Sequence, residues 1–172
     1  RLFGAVSGGY WEDVGTLEAY LRAHKDALDA RVALDIPGFR MSEGVWVGEG
    51  VEVHPDALLE GPAVIGENCR IEAGARLGEY TVLGNNVKVR EQVELQRVVV
   101  HDNTYLGEQC RIGGTVIGRA CDLRRGVRCE EGVVLGDECF VGENAVIGAG
   151  VKVYPFKTVE AGAIINSSIV WE

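Results

Sequence analysis

From Ile65 the chain reads IGENCR, IEAGAR, LGEYTV, LGNNVK, a succession of six-residue units that each open on an aliphatic residue. The fifth place of each unit is small or β-branched (Cys69, Ala75, Thr81, Val87), and the fourth is Asn68, Gly74, Tyr80 or Asn86. The same frame runs back to Val47, Val53 and Leu59, and forward to Val89 and Leu95. Slips of one residue fall between Leu95 and Val100 and between Ile112 and Ile117, after which the frame continues to Val159. Cys129 is the one opening residue that is not aliphatic. Lys157 is the one fifth-place residue outside Val, Ala, Cys and Thr.

A short fixed period dictates a repeat architecture and takes precedence over other patterns. Each unit is read as one short strand and one corner, with three units closing a triangular coil. Coils then stack at the parallel-strand spacing of about 4.8 Å, pairing their backbones with the coils above and below. The first place fills the interior, and the fifth also points inward, near a corner where only a small group fits. The fourth place turns the chain, which suits the Gly, Asn and Asp found at Gly50, Asp56, Asn68, Gly74, Asn86, Asn103, Gly126, Gly132, Asn144, Gly150 and Gly162. No helical period survives so frequent a glycine. The pattern resembles the hexapeptide-repeat parallel β-helix, whose known members coil left-handed. The expected fold class is therefore all-β, a left-handed parallel β-helix, with the handedness taken from the resemblance.

Residues 1–36 lie outside the repeat. Arg1 to Val6 reads as the end of a strand and Ser7-Gly8-Gly9 as a loop. Thr16 is positioned to cap a helix whose first turn carries Glu18, where a carboxylate suits the helix dipole. Leu17, Tyr20, Leu21, His24 and Leu28 share one face of that helix, which must pack on something. One helix and a loop cannot form a core alone, so the segment is expected to dock on the β-helix or on a domain outside this chain. Pro37-Gly38 marks a break, and Phe39 to Gly44 leads into the first coil.

The formal net charge of -9 argues against nucleic acid and anionic membrane as partners. No apolar run approaches the roughly 18 residues of a spanning helix. No secretory leader is visible, and a cytoplasmic location is expected. The chain opens on Arg1 and its single methionine is Met41, which reads as an excised piece of a longer chain or a processed N-terminus. The five cysteines all fall in inward columns: Cys69, Cys110, Cys121 and Cys139 in the fifth place and Cys129 in the first. They read as small inert core groups rather than a metal site, and Cys121 and Cys139 are expected on adjacent coils, reduced in a cytosolic protein.

Gly9-Tyr10-Trp11, Asp13-Val14-Gly15-Thr16 and Tyr20 resemble the closing motif, GYWxDVGTxxxY, of the sugar-1-phosphate nucleotidyltransferase catalytic domain. Many members carry a left-handed β-helix directly after it. The stretch Ala161 to Trp171 is similar to the end of that β-helix in mannose-1-phosphate guanylyltransferases, the branch in which a phosphomannomutase-like domain follows. Leu17 departs from the family, where many members have proline. The resemblance implies that residues 1–36 close an α/β catalytic domain, as a loop-helix remnant, and that 37–172 form the β-helix, serving oligomerisation or regulation. It implies the reaction of a nucleoside triphosphate with a sugar 1-phosphate to give a nucleotide sugar and pyrophosphate, GDP-mannose being favoured. It maps a catalytic Mg²⁺ ligand onto Asp13, acting with an aspartate from earlier in the chain, and places Trp11 beside the sugar pocket. It also implies a homo-oligomer formed through β-helix faces.

The glycine-rich nucleotide loop of that family is not in this sequence. Gly113-Gly114 and Gly148 to Gly150 are corner glycines without the strand-loop-helix context of a phosphate cradle. The chain alone is therefore expected to be inactive. Two other readings stand beside this one. A hexapeptide-repeat acyltransferase would need a general-base histidine, but His54 and His101 fall at the second place of their units and read as solvated corner residues. A three-histidine carbonic-anhydrase-like site fails because His24, His54 and His101 do not align by coil. A purely structural oligomerisation module is the third reading. Arg111, Arg119, Arg124, Arg125 and Arg128 either face a phosphorylated effector or form a solvated surface balanced by nearby acids. Lys157, charged in an inward column on the last coil, is expected to reach out through the corner at Tyr154-Pro155-Phe156 or through the open end.

Overall fold

The computed structural model describes residues 3–6 and 8–169. Its parallel strands form three sheets, one on each side of a triangular solenoid of seven coils. The first side runs from Val45–Val47 through Ala63–Ile65, Thr81–Leu83, Val99–Val100, Val116–Ile117 and Val134–Leu135 to Lys152–Val153. The second runs from Glu52–Val53 to Thr158–Val159, and the third from Leu58–Leu59 to Ile164–Ile165.

The opening residues of the units stack in register. On the second side the column is Val53, Ile71, Val89, Leu106, Leu123, Val141 and Val159. Between coils the strand amides donate to the carbonyls of the next coil, as in Arg70 N–H to Val87 O at 3.0 Å and Glu94 N–H to Cys110 O at 2.9 Å. From Ile65 to Val153 the inward side chains make one continuous core, because each unit contributes only two and must share them with its neighbours. Ile165 prolongs the first-place column one unit past Val159.

The fourth-place residues adopt positive φ whatever their identity: Tyr80, Gln92, Gln109, Ala120, Glu138 and Phe156 do so alongside the glycines and asparagines. Stacking therefore overrides the local preference. Asp56 and Pro62 are exceptions, with no positive φ. At the two slips the positive φ moves forward one place, to Arg97 and Gly114, and the inward corner residues become Val98 and Thr115. Val99 and Val116, expected inward as fifth-place residues, instead join the outward column with Val82 and Val134. Both are buried all the same, so something covers that side.

The fifth-place cysteines and threonines share a feature the sequence did not reveal. Each gives its hydrogen to a corner carbonyl: Thr104 Oγ1 to Gly118 O at 3.0 Å, Cys69 Sγ to Gly84 O, Cys110 Sγ to Arg124 O and Cys121 Sγ to Gly136 O, each at 3.1 Å. A small side chain with one donor fills the corner and satisfies a carbonyl that turns away from the ladder. All five cysteines are free and buried. Gly107 is required by close approach, since a Cβ there would lie 2.7 Å from Arg124 C and Arg125 N in the next coil.

Before the coils, α1 (Leu17–Leu28) begins at Thr16, whose Oγ1 accepts from Ala19 N–H at 3.1 Å. Leu17 stands at the first helical position without disturbing this cap. The residues of Phe39 to Gly44 do more than lead into the first coil. β1 (Phe39–Ser42) turns back antiparallel on β2 (Val45–Val47), closing the edge of the first side. The expected strand end at Arg1 to Val6 is not found over Phe3–Val6. Arg1 and Leu2 lie outside the described residues, as do Ser7 of the expected loop and Val170 and Trp171 of the terminal stretch.

Candidate functional site

α1 lies on the first side of the solenoid. Tyr20 Oη and His101 Nε2 share a hydrogen bond of 3.2 Å. Lys25 Nζ donates to Tyr80 Oη at 3.0 Å and sits 4.3 Å from the centre of that ring, while Tyr80 Oη donates to Asp29 at 3.1 Å. His101 and Tyr80 flank Val99 and Val82, which explains the burial of an outward apolar column on this side. The docking partner of the helix is thus the β-helix. His101 is half-buried and bonded, which corrects its reading as a solvated corner. His54 is exposed as expected, its Nδ1 accepting from Asp56 N–H at 3.1 Å. His24 bonds through Nδ1 to Tyr20 O at 3.0 Å and packs on the Tyr20 ring, a packing role.

The segment before α1 alternates. Tyr10 Oη donates to Asp26 Oδ2 at 3.0 Å, and Arg31 donates to the other oxygen of the same buried carboxylate at 3.3 Å. Glu12 pairs with Arg22 at 2.9 Å. The residues between and after them are open to solvent: Trp11 is 79% exposed, Val14 is 51% exposed and Asp13 is exposed. Tyr10 and Glu12 are thus fastened to the helix, while Trp11 and Asp13 carry no such contact and are exposed. The two residues singled out by the motif are therefore both exposed, on a segment anchored through Tyr10 and Glu12. Sequence reasoning missed the anchors; the only signal for them was the alternation itself.

Among the described residues no three His, Cys, Asp or Glu side chains converge as a cation site would require. Asp13 offers one hard oxygen donor, which suits Mg²⁺ only with further oxygens from elsewhere. The arginines grouped in the sequence separate in space. Arg119 pairs with Asp137 at 3.1 Å and Arg124 with Asp122 at 3.0 Å, whereas Arg125 donates to Gln109 at 3.3 Å. Arg111 and Arg128 stand on the third side with Arg76. Lys157 is half-buried rather than enclosed, at the last coil. No helix of the described residues is long and apolar enough to cross a membrane.

Burial pushes the Cys69, Cys110 and Cys129 thiols up, Cys110 to about 12, whereas the hydrogen bond shared by Cys121 and Cys139 raises the first and lowers the second to about 7. Cys139 is only 2% exposed, inside the coil, which keeps it from reagents. The hydrogen bond from Lys25 holds the Asp29 carboxyl below its usual value.

Residues 59–170 match the family model described as GMPPB C-terminal domain. A glucose-1-phosphate adenylyltransferase of Desulfitobacterium hafniense is 28% identical over 171 residues, covering 89% of this chain and 40% of the relative. The bifunctional protein GlmU of Marinobacter nauticus is 33% identical over 130 residues, covering 72% of this chain and 28% of the relative. The chain thus spans well under half the length of the curated relatives it matches. Among solved structures, a hexapeptide transferase family protein from Anaplasma phagocytophilum superposes with a TM-score of 0.52 at 17% identity, over 72% of this chain and 79% of that one. That likeness is of fold: the solenoid is the left-handed β-helix of the hexapeptide proteins.

Proposed function

The chain belongs to the GMPPB C-terminal domain family, and from that premise we propose that it is the C-terminal portion of a sugar-1-phosphate nucleotidyltransferase. The whole enzyme joins a nucleoside triphosphate to a sugar 1-phosphate and releases pyrophosphate, with GTP and mannose 1-phosphate as the favoured pair. Residues 1–36 complete the catalytic domain, and residues 37–172 form the β-helix, which serves oligomerisation or regulation. A cytoplasmic location accords with soluble nucleotide and sugar phosphate substrates.

The observation that carries this reading is the strip from Tyr10 to Thr16. It is fastened to α1 through Tyr10 and Glu12 and leaves Trp11 and Asp13 exposed. Phe3, Val6 and Trp11 are 89%, 103% and 79% exposed. Apolar groups left in water along one short segment mark a surface made to be covered, and a catalytic domain built from preceding chain would cover it. In this arrangement Asp13 would help hold Mg²⁺, together with a second aspartate from elsewhere in the protein and the substrate phosphates. When bound, that ion supplies charge to the reacting phosphates. Trp11 lines the sugar side of the pocket, excluding water. Helix α1, locked to the β-helix by Tyr20 and Tyr80, keeps the strip in place.

The acyltransferase alternative would use His54, which is exposed, or His101, whose Nε2 already shares a hydrogen bond with Tyr20. The deciding experiment is pyrophosphate release by the full-length protein and by the 172-residue chain, across nucleotide and sugar phosphate pairs. The full-length protein is expected to turn over fastest with GTP and mannose 1-phosphate, and the chain alone not at all. Turnover by the chain alone overturns the reading, as does consumption of acetyl-CoA that His101→Ala or His54→Ala abolishes.

A further inference from the structure

The third side of the solenoid carries charge in a way the second does not. On the second side the basic residue Arg90 lies among three carboxylates, 3.0 Å from Glu72, 3.2 Å from Glu108 and 3.5 Å from Glu91. On the third side the outward residues in register are Arg76, Glu94, Arg111 and Arg128. Arg111 has a single long contact, 3.7 Å to Glu94. Arg76 and Arg128 make no side-chain hydrogen bond or ion pair among the described residues.

Arg111 and Arg128 occupy adjacent strands, about 4.8 Å apart along the solenoid. Two like charges directly opposite each other in a sheet repel, and no acid of the protein lies between these two. Beside the arginines runs the corner column Gly74, Gln92, Gln109, Gly126, and the two columns enclose a groove of about 620 Å³ that Asn144 closes. Glu94 is the one acid lining it. At the corners beside Arg76 and Arg128 the glycines are themselves covered: a Cβ at Gly74 would lie 3.4 Å from Gln92 Cγ, and at Gly126 Asn144 Oδ1 takes its place. The amides are held: Gln109 Nε2 donates to Gln92 Oε1 at 3.1 Å, and Gln109 Oε1 accepts from Arg125 at 3.3 Å.

We infer that this groove is a binding site for a phosphate or diphosphate group, clamped by Arg111 and Arg128 with Arg76 reaching its far end. Guanidinium forks match phosphate oxygens in pairs, and a dianion removes the repulsion between Arg111 and Arg128. The spacing of one strand between these two suits a diphosphate. Glu94, between Arg76 and Arg111, accepts from a hydroxyl carried by the same ligand. The protein's overall negative charge keeps non-specific anions away, so binding depends on the local clamp rather than on a basic surface. This inference does not rest on the transferase reading.

The test uses inorganic phosphate and pyrophosphate as probes on the full-length protein. Reaction of the arginines with a dicarbonyl reagent, read by peptide mass spectrometry, reports each site separately from any catalytic pocket. Pyrophosphate is expected to protect Arg76, Arg111 and Arg128 but not Arg70, whose side chain on the second side is 64% exposed against 63% for Arg111. Arg76→Gln with Arg128→Gln should weaken that protection of Arg111 by about tenfold, through loss of two charge-assisted contacts. Arg119→Gln should leave it unchanged. Protection by pyrophosphate but not phosphate identifies a diphosphate site, and equal protection a single-phosphate site. Either result supports the inference. Equal labelling of Arg111 with and without both anions overturns it. So does protection that survives the double variant, or protection that rises with protein concentration alone, which would mean that a second copy covers this side.

Discussion

Between Ile65 and Val153 no inward side chain of the coils is more than 4% exposed, whereas Phe3, Val6 and Trp11 of the N-terminal segment are 79% exposed or more. The two regions solve the same problem differently. A coil needs only its neighbours, because every inward group meets a copy of its own environment one step along the solenoid. The segment before it is held by specific polar contacts, Tyr10 to Asp26, Tyr20 to His101 and Tyr80 to Asp29, and leaves apolar groups unmet. Burial makes the solenoid; hydrogen bonds place the strip that carries Asp13.

The strongest way to break this contrast is Leu123→Ala. Leu123 is fully buried in mid-solenoid, and removing it should cost about 2–5 kcal/mol, read by chemical denaturation. A loss below about 1 kcal/mol would mean that the coils do not share one core. Asp13→Asn in the full-length protein should act in the opposite manner. It should lower turnover on the order of 100-fold, or about 2.7 kcal/mol in the barrier, while the melting temperature stays put. Near-normal turnover would remove Asp13 from the metal site.

Tyr20→Phe should destabilise only the docking of α1, by about 1 kcal/mol. Its signature is faster amide exchange in Leu17–Leu28 with no change in the coils. Faster exchange throughout the coils would show that helix and solenoid are one cooperative unit.

The smallest effects are in pH, and they differ in sign. Lys25 holds Asp29 below its ordinary value, so this contribution is present above the unfolded carboxylate pKa of about 3.9 and is lost as pH falls through the depressed folded value. Burial raises Cys110 to about 12, so the contribution of the neutral thiol is complete below the unfolded value of about 8.5 and declines as pH rises toward the folded one. Acid should free α1 first and alkali should loosen the coils first, followed by helix amide exchange and by thiol labelling. Thiol labelling at neutral pH without unfolding would contradict the inert role of the cysteines.

Much of the solenoid is legible in the sequence because its information is local and repeated. The first-place column from Val47 to Val159, the inward cysteines and the turning fourth place all follow from a period of six. The period could not say that Val99 and Val116 face outward, since a five-residue unit shifts the turn to Arg97 and Gly114. Nor could it anticipate that these valines are covered, because that depends on a helix some eighty residues earlier in the chain. The candidate site divides in the same way. Trp11 and Asp13 were found through a motif, while the anchors Tyr10 and Glu12 appear only when α1 is in place.

The arginines mark the limit most clearly. Neighbours in the sequence from Arg111 to Arg128 are dealt to different sides of a triangle, and Arg76, distant in the chain, joins two of them. By itself the sequence determined the period, and with it the coil and its two inward columns, because each unit repeats the same local chemistry. Only the tertiary structure decided which outward groups meet. That depends on how many residues each turn consumes and on where a separate helix docks, and neither is a property of any one unit.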